Sequence, residues 1–167
     1  MMLVKLSKSE LHRATTLGRD TTAICRMQNT IPRGEEGRND SDIDGARAEF
    51  AVAKLYGLEP PTLNVAGDEG CDLWFGQVSI DVKFTRTSAL IFDNLHKFRA
   101  DVAVLVEPHG DKPERMTVVG WSTRDHFKDH AVVKQMKYGE KLVMDREHLK
   151  SPESLWRAVR GREVSSE

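Results

Sequence analysis

The chain has 167 residues, with 25 Lys and Arg against 26 Asp and Glu. That length suits one domain with a real core, and no apolar run nears the about 18 residues of a membrane span. A net charge of −1 argues against binding a polyanion by bulk charge, which depends on many cationic contacts.

The start, Met1 to Lys8, lacks a signal peptide's apolar centre. Cys25 and Cys71 are far apart and lack metal-ligand spacing, so a reduced, cytoplasmic setting is expected. Ser7 to about Asn29 reads as helical, with Gly18 as a point of division, and residues 1–33 as an N-terminal helical arm. Its arginines, Arg19, Arg26 and Arg33, face either solvent or a substrate backbone. Pro32 to Asp42 is a linker rich in Gly, Glu, Arg and Asp.

A helix is expected from Ser41 to Gly57. Ser41 with Asp44 resembles a capping box, and Gly57 terminates it. On that helix the neighbours of Glu49 are Gly45, Ala46, Val52 and Ala53. So small and apolar a stripe packs closely on a sheet and carries Glu49 inward; the alternative is a Glu at the stripe's edge, reaching water or pairing with Arg47 or Lys54. Pro60-Pro61 then stops regular structure, and Thr62 to Ala66 is a possible short strand.

The most telling stretch is Cys71 to Phe84. Two apolar-rich runs flank Gly76-Gln77, which suits a two-residue hairpin of the II′ type. With that turn Phe75 faces Val78, and counting back sets Asp72 opposite Asp81. Val78, Ile80, Val82 and Phe84 form a core face; Ser79, Asp81, Lys83 and Thr85 form a polar one. Facing carboxylates repel, and a divalent cation between them is the simplest remedy. Farther on, Ser88 to Phe92 is a short strand and Asp93 to Arg99 a helical turn. Asp101 to Glu107 reads as a strand buried on both sides, and Met116 to Trp121 as another strand. Ser122 caps a helix through His130, Lys141 to Met144 is a last strand, and Ser151 to Val159 a helix opened by Ser-Pro-Glu. Residues 34–150 form the core and 151–167 a C-terminal helix and tail.

Glu on a first helix, then Asp, then Asp-x-Lys on a hairpin resembles the PD-(D/E)XK nuclease superfamily, which includes restriction endonucleases and Holliday junction resolvases. The matching positions are Glu49, Asp72, and Asp81 with Lys83; Cys71 stands where a Pro often precedes the first acid. The resemblance covers roughly half of the chain, about Ser41 to Trp121. It implies an α/β fold with a three-layer, restriction-endonuclease-like core: a central mixed sheet flanked by helices.

It also implies a Mg²⁺-dependent endodeoxyribonuclease, with Mn²⁺ as a substitute and a 5′-phosphate product. Asp72, Asp81 and the Val82 carbonyl would ligate the cation, with Glu49 binding directly or through a water, and Lys83 would act on the attacking water or the developing phosphate charge. Ser79, Thr85, Arg86 and Thr87 are candidates for substrate phosphates. DNA is the expected partner, with a homodimer possible and neither a membrane nor an organic cofactor involved. Trp74 shares the face of Asp72, whereas Trp121 reads as a packing residue. His126 and His130 have metal-ligand spacing with only Asp125 and Asp129 beside them. The competing class is a non-catalytic nucleic-acid-binding or assembly module on the same fold. A metabolic α/β enzyme is disfavoured because no phosphate loop, nucleophile elbow or dinucleotide fingerprint occurs.

Overall fold

The computed structural model describes residues 1–27, 38–63 and 70–164. The chain is an α/β protein built on two sheets. The first holds β1 (Met2–Lys5), β2 (Leu73–Phe75), β3 (Val78–Phe84), β5 (Val102–Pro108) and β6 (Arg115–Thr123), in the order β1-β6-β5-β3-β2. It is mixed: β3 and β5 run parallel and every other neighbour pair is antiparallel. The second is an antiparallel sheet of β4 (Ala89–Phe92), β8 (Gly139–Asp145) and β7 (Val132–Met136), with β7 at its edge.

The two faces of the five-stranded sheet are covered differently. On one, α2 (Arg38–Tyr56) and α4 (Pro152–Val164) pack Phe50, Val52, Tyr56, Leu155 and Val159 against Ile80, Val82, Val104 and Val118. On the other, Leu90, Phe92 and Met144 of the three-stranded sheet join Phe98 and Phe127 over Ala103, Leu105 and Val119. Phe127 comes from the short helix α3 (Arg124–His130). This second cover is mainly sheet, where the sequence pattern suggests helices. Being sandwiched explains β5, whose Val102 to Val106 are all buried.

Several local expectations hold. Gly76 has φ +59, the left-handed value that a II′ turn requires at its first central position. Gly57, at φ +67, ends α2, with the Leu58 N–H donating to the Ala53 carbonyl at 2.8 Å, as in a Schellman cap. Others differ. The first residues form strand β1 on β6, not part of a helical arm, because Met2 to Lys5 complete the edge of the sheet. Helix α1 (Lys8–Met27) is unbroken at Gly18. Helix α2 begins at Arg38, so Ser41 lies within it and does not cap it; Asp44 pairs with Arg47 at 3.2 Å instead. Helix α3 is capped by Thr123, which accepts from the His126 N–H at 3.2 Å, not by Ser122, which sits in β6. Strand β7 has no counterpart in the sequence pattern. Residues 64–66 of the suggested Thr62–Ala66 strand, most of the linker including Arg33, and the end of the tail lie outside the described residues.

The start of α1 carries a testable pH effect. The Ser7 N–H donates to Glu10 Oε2 at 2.6 Å, and the Glu10 N–H donates to Ser7 Oγ at 3.2 Å, a reciprocal capping box. Lys54 Nζ of α2 also meets Glu10 Oε2 at 2.6 Å. The hydrogen bond from Lys54, helped by those from Ser7, holds the Glu10 carboxyl at about 2 against a usual 4.5. A lowered carboxyl pKa stabilises the fold above pH 4.5 and loses that contribution as pH falls toward 2. Glu10→Gln keeps a capping acceptor but loses the charge facing Lys54; it is expected to lower stability at pH 7 by less than about 1 kcal/mol, as loss of an exposed ion pair does, and to flatten the decline between pH 4.5 and 2 in urea titrations.

Candidate functional site

The hairpin of β2 and β3 forms in the expected register: Phe75 pairs with Val78, Trp74 with Ser79 and Leu73 with Ile80. Pairing ends there. The Asp72 N–H donates to the Ile80 carbonyl at 2.8 Å, so Asp72 and Leu73 both address Ile80, and Asp72 steps out of the register that would seat it squarely opposite Asp81. Its side chain takes over the ladder: Asp72 Oδ2 accepts from the Val82 N–H at 2.6 Å. One carboxylate therefore rests on the amide that follows Asp81. The Val82 carbonyl points to the same strand edge, since both polar groups of a strand residue face one side.

Asp81 and Lys83 alternate with Ile80 and Val82, which pack toward α2. They face the second sheet instead. Asp81 is 2% exposed, its Oδ1 lies 2.7 Å from Lys83 Nζ, and that amine sits 5.1 Å from the centre of the Phe92 ring. The polar line foreseen along β3 is therefore covered, with its open end at Lys83, whose side chain is 37% exposed.

Glu49 is half-buried on α2 and lines a cleft of about 930 Å³ together with Asp72, Cys71 and Trp74. The cleft runs between α1, α2 and the segments at Glu59 to Leu63 and Cys71 to Trp74. Trp74 is 62% exposed there; Trp121 is buried, its Nε1–H donating to Ser154 Oγ at 2.9 Å and to the Ser151 carbonyl. The four core residues thus stand as two pairs: Glu49 and Asp72 share a cleft, and Asp81 and Lys83 share an ion pair on the sheet face turned away from α2. Asp72, touching the backbone of β3, joins them. Among the described residues, no group of three or more His, Cys, Asp or Glu side chains is gathered as a metal ion would need. At α3, His126 Nε2 lies 2.7 Å from the His148 carbonyl and His130 Nδ1 2.9 Å from the His126 carbonyl.

The four candidate phosphate contacts separate as well. Ser79 is committed to Asp101: its N–H and Oγ meet Asp101 Oδ2 at 2.9 and 2.7 Å, and its Oγ accepts from the Asp101 N–H at 2.9 Å. That lock sits where chain enters the parallel strands β3 and β5. Thr85 and Thr87 share a 2.9 Å hydroxyl contact in the loop after β3. Arg86 is 68% exposed and meets Asp44 Oδ2 of α2 at 2.7 Å. The sequence pattern missed this link because it assigned Asp44 to a cap. Asp42 and Glu59, also on the cleft wall, carried no local signal beyond their charge. Comparison with family models, with curated proteins and with solved structures gives no match.

Proposed function

We propose that the chain is a metal-dependent endonuclease that hydrolyses DNA phosphodiesters, with a restriction-endonuclease-like three-layer core. The observation that carries it is the end of the hairpin: the Asp72 carboxylate 2.6 Å from the amide after Asp81, and Lys83 Nζ 2.7 Å from Asp81. What supports a cation is the type of donor. Asp72, Asp81 and the Val82 carbonyl are all oxygen donors, which suit hard divalent ions, and Mg²⁺ takes one or two carboxylates and keeps its waters. Asp72 and Asp81 would hold it, with Glu49 reaching it through a water from the cleft. Bound there, the ion would lower the pKa of a water and neutralise phosphate charge. Lys83, held by Asp81 and open to solvent at one end, places a fixed positive charge where negative charge develops on the phosphoryl group. Arg86 and Thr87, both exposed, and the half-buried Thr85 would be donors for a neighbouring phosphate.

A second reading, a non-catalytic nucleic-acid-binding or assembly module, is favoured by one fact: Asp72 and Asp81 both already serve the hairpin, one capping its edge and one pairing with Lys83. Cleavage assays separate the two. The purified chain with Mg²⁺ or Mn²⁺ is expected to cut at least one of linear, nicked, branched or single-stranded DNA, and Asp81→Asn to abolish cutting while the circular dichroism spectrum stays unchanged. Cutting that survives Asp81→Asn would remove this site from consideration; binding without cutting would favour the module.

A further inference from the structure

Strand β7 is exposed at all five residues, Val132 to Met136. It closes one side of the three-stranded sheet with no strand beyond it among the described residues. Val132 is 51% exposed, Val133 63%, Met136 37%, and Tyr138 in the adjoining turn 65%. Open edges are commonly blunted by proline, a bulge or unopposed charge. This one has an unbroken register with β8 and no proline. Its one charge, Lys134, is offset by Asp145 at 3.1 Å.

We infer that β7 is a self-association edge, pairing antiparallel with β7 of a second copy across a two-fold axis at Lys134. That register alone overlaps all five residues. It sets Val132 beside the partner's Met136 twice and brings the two Lys134 side chains together, each carrying its own Asp145. The pairing joins two three-stranded sheets into one of six strands. Asp145 already matches Lys134, and β7 itself offers no second cation to a polyanion, which favours a second copy as the occupant. So short a ribbon buries little area, and the dimer is expected to be weak and concentration-dependent.

Sedimentation of the full chain over rising concentration tests this. Wild type should shift toward twice the monomer mass. The Val132→Lys/Val133→Lys variant should remain monomeric over the same range with an unchanged melting temperature, since both sites are exposed. Lys134→Cys, in a Cys25→Ser/Cys71→Ser background, should form an intermolecular disulfide on mild oxidation, because facing residues on paired strands bring Cβ atoms within reach of one. A strictly monomeric wild type, a variant that still dimerises, or a Lys134→Cys chain that does not cross-link would each overturn the inference. So would a monomer whose edge variant loses DNA binding instead.

Discussion

Lys83→Met is expected to lower folding stability by about 2–3 kcal/mol and, on the nuclease reading proposed above, to remove DNA cleavage in the fraction that stays folded. Methionine keeps a stem of similar length but removes the cation that faces Asp81 and lies over the Phe92 ring. Breaking a buried ion pair from one side costs about 3–5 kcal/mol, because the remaining charge stays desolvated. The lower figure applies because Lys83 is 37% exposed and its charge is partly screened. The double variant Asp81→Asn/Lys83→Met should recover much of the stability, since neither charge is then buried, without recovering cleavage. Urea titration of the four chains closes the cycle. If Lys83→Met melts like wild type, the pair contributes nothing to the fold; if it also cuts like wild type, Lys83 has no part in the chemistry.

The second large effect is steric. A Cβ at Gly18 of α1 would lie 2.5 Å from Ile43 Cα, 2.7 Å from Ile43 N and 2.8 Å from the Asp42 carbonyl. These are backbone atoms of α2 and cannot turn aside. Thr22 Oγ1 fastens the same crossing, donating to Asp42 Oδ2 at 2.7 Å and contacting the Gly18 carbonyl. Gly18→Ala therefore forces the helices apart. It should destabilise by about 1–3 kcal/mol, the cost of overpacking, even though Ala gains about 1 kcal/mol over Gly in helix propensity. Gly45 on α2 is the control. Nothing lies within 4 Å of its Cβ position, so Gly45→Ala should stabilise by up to about 1 kcal/mol. Opposite signs in thermal melts confirm that the close approach, and not helix propensity, governs Gly18. Because α1 and α2 both line the Glu49 cleft, Gly18→Ala should also weaken any ligand that depends on that cleft.

Gly18 shows where sequence signals divide. A glycine in a helical pattern reads as a break, since its local cost there is real. The reason for it, a backbone only a Cβ away, lies 25 residues further along the chain. Ser41 and Asp44 show the same ambiguity: their spacing imitates a cap, yet the helix starts earlier and Asp44 turns to Arg47 and Arg86. The hairpin, by contrast, is legible from its turn back to Leu73 and Ile80, and only the step out of register at Asp72 is not. Gly76-Gln77 sets the turn, the turn sets the register, and the alternation of Val78, Ile80 and Val82 sets which face is apolar.

Local sequence determined the features whose causes are local: the II′ turn and its register, the stop at Gly57, and the two-sided burial of β5. Tertiary structure alone decided what covers each face. It turned Asp81 and Lys83 under a second sheet, placed Glu49 with Asp72 in a cleft, and made strands of Met2–Lys5 and Val132–Met136. The physical reason is range. Turns and alternation act between near neighbours, whereas a four-residue strand or a half-buried carboxylate takes its place only from groups that the folded chain brings alongside it.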